Sequence, residues 1–368
     1  MSERKEYLTN QIITYLGNKR SLLSFIENSV QLILSELNKN RIDTFDVFSG
    51  SGIVARYLKQ YSDNLFVNDL EDYSRVINSC YLTNQKEIDT KKLLYWHSNL
   101  NSLIGSAPLL TDGFIARLYA PKDDKNIQPD ERVFYTTRNA HFIDTARTYL
   151  NEIPEPYKTL LLAPLLYEAS TKTNTSGVFK GFYKNSTTHI GQFGGNGRDA
   201  LNRIMADIQL LLPVLSKYSS KIHILQGDSN IICESVPHVD LAYLDPPYNQ
   251  HPYGSNYFML NLISNYVEPT NISKVSGIPA GWNQSVYNKK NLAYESFSKL
   301  CRTIDASFLL ISYNSEGFIS FDQMLNMLQE LGNVRVFDTK YNVFRGCRNL
   351  NQRTTYVKEY LFLVKKGR

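Results

Sequence analysis

The chain is poor in cysteine: Cys80, Cys233, Cys301 and Cys347 are scattered through 368 residues, with no Cys-x-x-Cys pair and no His pair at ligand spacing. That pattern argues against a disulfide framework and against a zinc site, and the thiols read as reduced and structural. No metal is expected. Long hydrophobic runs are also missing, because stretches such as Leu160 to Tyr167 are short and interrupted by Pro164; no membrane span is expected. The opening MSERKEYLTNQ lacks the apolar core of a secretory signal, so a cytoplasmic protein is expected. There is no internal repeat and no low-complexity linker. Neither charge sign dominates: the net charge of +5 permits a polyanionic partner without requiring one. Tryptophan is scarce, at 2 residues against 25 tyrosines, which fits either base stacking or the bias of an AT-rich genome. The 42% hydrophobic and 20% charged residues are those of a globular chain long enough for about two domains.

Periodicity supplies the architecture. Residues 20 to 37 place Leu22, Leu23, Ile26, Val30, Ile33, Leu34 and Leu37 on one helical face. Ile42 to Phe48 reads as a buried strand running into Ser49-Gly50-Ser51-Gly52 and then a helix, IVARYLKQY. Strand, glycine turn and helix in that order open a nucleotide-binding α/β unit. A second strand, Asn64 to Val67, ends at Asn68-Asp69, and a helix follows through about Asn84. The alternation resumes with strands at Lys221 to Leu225, Val239 to Leu244 and Ala306 to Tyr313, a helix from Ile319 to Leu331, and two tail strands, Val334 to Asp338 and Glu359 to Val364, placed to form an antiparallel hairpin. The expected fold is α/β, a Rossmann-like, mostly parallel sheet. Between these halves, helical patterns at Thr136 to Leu150, Pro156 to Ser170 and Ala200 to Leu215 surround a polar, Gly-rich stretch from Thr171 to Arg198. This predicts a mainly helical inserted domain over 90–219, dividing the sheet domain into 1–89 and 220–368. A connection as long as Thr171 to Arg198 is usually functional or mobile.

Two motifs carry chemistry. In Asp46-Val-Phe48-Ser-Gly50-Ser-Gly52 the glycines let a ligand approach the backbone at a helix N-terminus, and Asp69, about 20 residues on, stands where a carboxylate accepts ribose hydroxyls. The third glycine of the dinucleotide fingerprint is replaced by Ala55, which disfavours a pyrophosphate and suits a nucleoside. Asp245-Pro246-Pro247-Tyr248 follows the apolar strand DLAYL and so lies at the carboxyl end of the sheet. Successive prolines fix the backbone and remove donors, leaving carbonyl oxygens directed at a cleft. This arrangement suits an exocyclic amine acting as nucleophile. With both N–H bonds held by the Asp245 carboxylate and the Pro246 carbonyl, the nitrogen lone pair can be aimed at a methyl group while Tyr248 stacks on the base.

The ordered motifs resemble the Dam-like (D12 class, alpha group) DNA adenine-N6 methyltransferases, within them the branch typified by the FokI methylases. The resemblance rests on Tyr15-Leu-Gly-Asn-Lys19-Arg20, the Phe48-x-Gly50-x-Gly52 segment, Asn68-Asp69, Gln226-Gly-Asp228, Asp245-Pro246-Pro247-Tyr248-Asn249, Asn256-Tyr257 and Ser312-Tyr-Asn-Ser-Glu-Gly317. It covers most of the chain. One departure is Tyr15, where Dam has tryptophan. The resemblance implies S-adenosylmethionine as donor, S-adenosylhomocysteine as product, and double-stranded DNA as partner. It also implies a target adenine flipped into the cleft. Tyr15 and Lys19 then meet the methionine end of the donor, Phe48, Gly50 and Gly52 line its pocket beside Asp46, Asp69 holds the ribose, Asp228 faces the adenine amino group, and Asp245 touches donor and target. A bare N-terminal arm for Tyr15 and Lys19, and a helix N-cap for Asp228, remain open. The inserted domain corresponds to the family's target-recognition region, in which Lys172, Asn174, Lys180, Lys184, Arg198 and Arg203 are expected at DNA, joined by Asn249 and Tyr257 from the loop after Tyr248. A solvated loop is the plainer alternative. Lys289, Lys290, Arg345, Arg348 and Arg353 are weaker phosphate candidates. A cognate restriction endonuclease and a monomeric state are further implications. Cytosine-N4 methylation, RNA methylation and a non-catalytic DNA-binding role on the same scaffold stay open.

Overall fold

The computed structural model describes residues 3–195, 197–198, 200–342 and 356–367. Among them, seven strands form one sheet: β1 (Ile42–Asp46), β2 (Ser62–Asp69), β3 (Lys221–Gln226), β4 (Val239–Leu244), β5 (Ala306–Asn314), β6 (Gly332–Asn342) and β7 (Tyr356–Lys366). Their order is β3-β2-β1-β4-β5-β7-β6. Strands β1 to β5 pair in parallel, while β7 runs antiparallel to both β5 and β6. The mostly parallel sheet with an antiparallel C-terminal hairpin is therefore the one expected. Because β2 lies to one side of β1 and β4 to the other, successive connections leave in opposite directions at β1 and β4, which opens a crevice at their carboxyl ends.

The strand sequences explain why both faces are covered. Side chains alternate across a strand, so Leu241, Tyr243, Phe308, Leu310, Leu361 and Leu363 share one core, while Ala242, Leu244, Leu309, Ile311, Phe362 and Val364 share the other. After the short α1 (Lys5–Thr9), α2 (Leu23–Leu37) and α3 (Ile53–Leu58) close the first face with Ile26, Val30, Ile33 and Leu58. Helix α2 stops at Asn38, whose left-handed φ of 52° turns its N–H back to the last carbonyls.

Helix α4 (Asp72–Tyr81) leads from β2 into a helical layer made of α5 (Thr90–Ser106), α6 (Phe114–Tyr119), α7 (Thr137–Leu150) and α8 (Tyr157–Thr171). Their shared core also takes in α4 and, from beyond β4, Phe258, Met259, Leu260 and Ile263. The helix expected over Ala200 to Leu215 is much shorter: α9 is Leu201–Met205, and the chain is extended from Ala206. The backbone donors there are taken by side chains instead, Ile208 by Asn139 at 3.0 Å and Gln209 by Glu168 at 3.2 Å, and Pro213 could not have continued a helix. Two short helices, α10 (Ser229–Ile232) and α11 (Tyr253–Asn256), begin at the sheet's carboxyl edge, and α12 (Phe258–Asn265) follows. Helices α13 (Lys290–Thr303) and α14 (Phe321–Gln329) cover the second face, α14 starting from a Ser320/Gln323 capping box. No described helix is long and apolar enough to cross a membrane.

Candidate active site

The crevice between β1 and β4 is a partly enclosed cleft lined from both strand ends. The glycine turn forms its floor. Gly50 and Gly52 have φ of 50° and 72°, the left-handed region, and the Gly52 N–H closes the turn on Ser49 O at 2.7 Å. A Cβ on Gly50 would lie 3.0 Å from the Tyr15 ring, whereas one on Gly52 would strike Asn78 Oδ1 at 2.6 Å. Gly50 therefore shapes the cleft. Gly52 seats the turn against α4 at the start of α3.

Asp69 anchors the floor: its Oδ2 accepts from Gly50 N at 2.7 Å and its Oδ1 from Glu71 N at 2.9 Å. Glu71, which no motif marked, is buried beside it and accepts from Asn261 Nδ2 at 2.6 Å and Asn283 Nδ2 at 3.1 Å. Burial, and after it the Asp69 charge, pushes the Glu71 carboxyl up to about 7. Asp46 at the end of β1 is 1% exposed, and neither carboxylate oxygen has a hydrogen-bond partner among the described residues. Burial, then the nearby Asp245 and Asp69 charges, holds its carboxyl well above the usual range, with the Phe48 and Ala55 backbone acting in the opposite sense. A buried carboxyl lining a cleft, with no side-chain donor in hydrogen-bond geometry, gains its charged form when a cationic ligand arrives.

At the end of β4, Asp245 meets Lys19, which is 3% exposed and bridges two carboxylates: Nζ stands 3.1 Å from Asp245 Oδ1 and 2.9 Å from Glu359 Oε1. Burial alone pushes the ammonium's pKa down; Asp245 and Glu359 reverse this and hold it well above an ordinary lysine. Burial pushes the Asp245 carboxyl up to about 6, Lys19 opposing and Glu359 adding. Above them Tyr15 is stacked on Tyr253 and Tyr257 with ring centroids 5.0 Å apart in each case. Tyr248 is held by Phe318 N donating to its carbonyl at 3.0 Å and by an edge contact with Tyr313. Asp228 lines the cleft and also caps α10 by accepting from Asn230 N at 2.9 Å. Phe48, Pro246 and Pro247 complete the wall with Asn283, Ser285, Tyr287 and Asn288, a loop that sequence reasoning missed because it carries no motif.

Residues expected at DNA divide into two groups. Lys180, Lys184 and Arg198 are exposed, Lys184 lying over the Phe182 ring, and Lys180 is near enough to His251 to help burial lower the pKa of that imidazole. The insert's Lys180 thus borders the loop that follows Tyr248. Lys172 is partly buried, 4.0 Å from Glu168. Asn249 is half-buried and accepts from His251 N at 2.9 Å, ordering that loop. Two residues are fully buried. Asn174 is 0% exposed; its Nδ2 donates to Val133 O and Gln192 O, and its Oδ1 accepts from Gly194 N, so it ties the loop together from within. Tyr257 is likewise 0% exposed, packed behind Tyr15 with its hydroxyl accepting from Leu16 N at 2.7 Å. Neither presents an edge to a duplex. Arg203 is spent on the carbonyls of Thr171, Thr173 and Thr175. Lys289 and Lys290 are exposed, and Arg345, Arg348 and Arg353 lie outside the described residues.

Comparison with known proteins shows the family. The model of the D12 class N6 adenine-specific DNA methyltransferases matches residues 15–327. The chain is 28% identical over 363 residues to the type II methyltransferase M.NlaIII of Neisseria lactamica, covering 96% of this chain and 99% of that one. It is 29% identical over 361 residues to the type II methyltransferase M.CviAII of Paramecium bursaria Chlorella virus 1, covering 96% and 98%. Against the type II methyltransferase M.FokI of Planomicrobium okeanokoites it is 26% identical over 371 residues, 96% of this chain and 52% of that protein.

Proposed function

The chain belongs to the D12 class of N6 adenine-specific DNA methyltransferases, and from that premise we propose that it transfers a methyl group from S-adenosylmethionine to N6 of an adenine flipped out of double-stranded DNA. The observation that carries the reading is one cleft holding both the Asp245-Pro246-Pro247-Tyr248 wall and the buried Asp46 carboxyl. When bound, the donor supplies an electrophilic methyl on a sulfonium. Asp46 offers negative charge to its cationic end beside Tyr15, Asp69 and Glu71 offer oxygens to the ribose, and Asp228 and Phe48 bracket the adenine. Gly50 lets these approach the floor closely.

Tyr248 stacks on the target base while the Asp245 carboxylate and the Pro246 carbonyl accept its two N–H bonds. N6 is then free to attack in line; the N–C bond forms as the S–C bond breaks, S-adenosylhomocysteine leaves, and N6 loses a proton. Alignment and fixed dipoles supply the acceleration, so Asp245 acts first as an acceptor. Residues 90–219 are assigned to target recognition, with Lys180, Lys184 and Arg198 at phosphates near the flipped base. We place the protein in a restriction-modification system, as a cytoplasmic monomer whose mark protects DNA from a cognate endonuclease.

The test is mass spectrometry of nucleosides from unmodified duplex DNA incubated with donor and protein. N6-methyladenine is expected from the wild type and none from Asp245→Ala, which should still bind DNA. Transfer by Asp245→Ala at the wild-type rate, or N4-methylcytosine as the product, refutes the assignment.

A further inference from the structure

We propose that Glu359, on the C-terminal hairpin, is a positioning residue for methyl transfer: it holds Lys19 beside Asp245 and leaves the three-group cluster with a net negative charge at the target amine. The inference rests on the reading of Asp245 given above. Glu359 lies on β7 opposite Asn314 of β5, so its diagonal neighbour is Ser312, whose hydroxyl donates to Glu359 Oε1 at 2.7 Å. The same oxygen accepts the Lys19 ammonium at 2.9 Å, and all three side chains are buried.

The charge balance singles Glu359 out. Lys19 and Asp245 alone would make a neutral pair, and a buried pair needs no second carboxylate. Adding a buried negative group costs desolvation that packing does not return. The cluster of one ammonium and two carboxylates carries an excess negative charge, and it does so at the end of β4, where the attacking nitrogen turns cationic until its proton leaves. A fixed charge of the opposite sign lowers that barrier without reorganising. The other groups facing the cluster are the hydroxyls of Tyr243, Tyr248 and Tyr253 and the Asp46 carboxylate. Burial holds Tyr243 and Tyr253 well above their ordinary pKa, so both stay neutral and neither supplies the charge.

Glu359→Gln keeps the shape and removes the charge. Methyl transfer to duplex DNA by the full chain is measured across about pH 5 to 9, with KM for donor and DNA. The expected result is a kcat lower by about 10 to 100-fold with both KM values within about twofold. The acid limb of kcat should move to lower pH, since Glu359 adds to what keeps the Asp245 carboxyl raised. Glu359→Asp, with the charge kept and the reach shortened, should give an intermediate kcat and a wild-type acid limb. Wild-type kcat with an unmoved limb in Glu359→Gln overturns the proposal, as does a KM rise with kcat intact. If Glu359→Gln does not fold, Glu359→Asp decides: an intermediate kcat supports the role and a wild-type kcat overturns it. A wild type that forms no N6-methyladenine refutes the parent assignment; an active wild type with an indifferent Glu359→Gln refutes only the role of Glu359.

Discussion

Replacing Lys19 by methionine keeps the aliphatic stem and removes the cation between the buried Glu359 and the partly buried Asp245, so the cost can be worked from the geometry. Asp245 Oδ1 and Glu359 Oε1 lie 3.1 and 2.9 Å from Nζ. Even with Lys19 present the Asp245 carboxyl stands at about 6. Against an ordinary value near 4, that corresponds to about 3 kcal/mol disfavouring the ionised form in the fold. Breaking a buried pair from one side costs about 3 to 5 kcal/mol, which is the expected loss at pH 8. Without Lys19, whose charge opposes the rise, the Asp245 carboxyl moves further up. A carboxyl whose folded pKa exceeds its unfolded one makes the native state bind protons more readily, so its contribution is present at low pH and lost as pH rises through the folded value. The deficit of Lys19→Met relative to wild type should therefore shrink to below about 2 kcal/mol at pH 5.5. Urea denaturation of both proteins at the two pH values measures this. A deficit equal at both pH values, or under about 1 kcal/mol at pH 8, refutes the electrostatic account of the cluster.

Two substitutions test the neighbouring structure. Gly50→Ala puts a methyl at a φ of 50° and 3.0 Å from a Tyr15 ring that Tyr253 and Tyr257 hold in place; the expected cost is about 1 to 3 kcal/mol in stability, with donor affinity falling at least about tenfold and DNA binding kept. Unchanged donor affinity by calorimetry counts against a donor site on this floor. Asn174→Ala strands the carbonyls of Val133 and Gln192 and the N–H of Gly194, so thermal unfolding without DNA should show a loss of about 1 to 3 kcal/mol. An unmoved transition with weakened DNA binding would make Asn174 a reader after all.

What was legible follows from the range of the physics involved. Asp245-Pro246-Pro247-Tyr248 and the glycine turn are local devices: alternation makes the strand, and proline or glycine ends it at the sheet's carboxyl edge, so chemistry and position come from the same few residues. The parallel order and the closing hairpin were legible for the same reason. The helix expected to Leu215 was not, because its apolar spacing also suits an extended segment whose backbone donors are claimed by Asn139 and Glu168 on other helices.

The burial of Asn174 and Arg203 has a common cause in the long connection that they satisfy, while Tyr257 serves the N-terminal arm. Asn174, Tyr257 and Arg203 carry groups that suit DNA, and the fold uses them on backbone atoms instead. A long connection with little regular structure leaves many carbonyls and N–H groups without a ladder, and buried ones must be satisfied by side chains. The polar residues that stay exposed, Lys180, Lys184 and Arg198, are those free to meet phosphates. Glu359 is the converse case. It sits in an apolar β7 whose pattern reads as core, and its meaning arises only where β7 brings it to Lys19 from the other end of the chain. Charge placed by tertiary pairing leaves no local spacing to read, so the residues that set the electrostatics of Asp245 were the least visible part of the site.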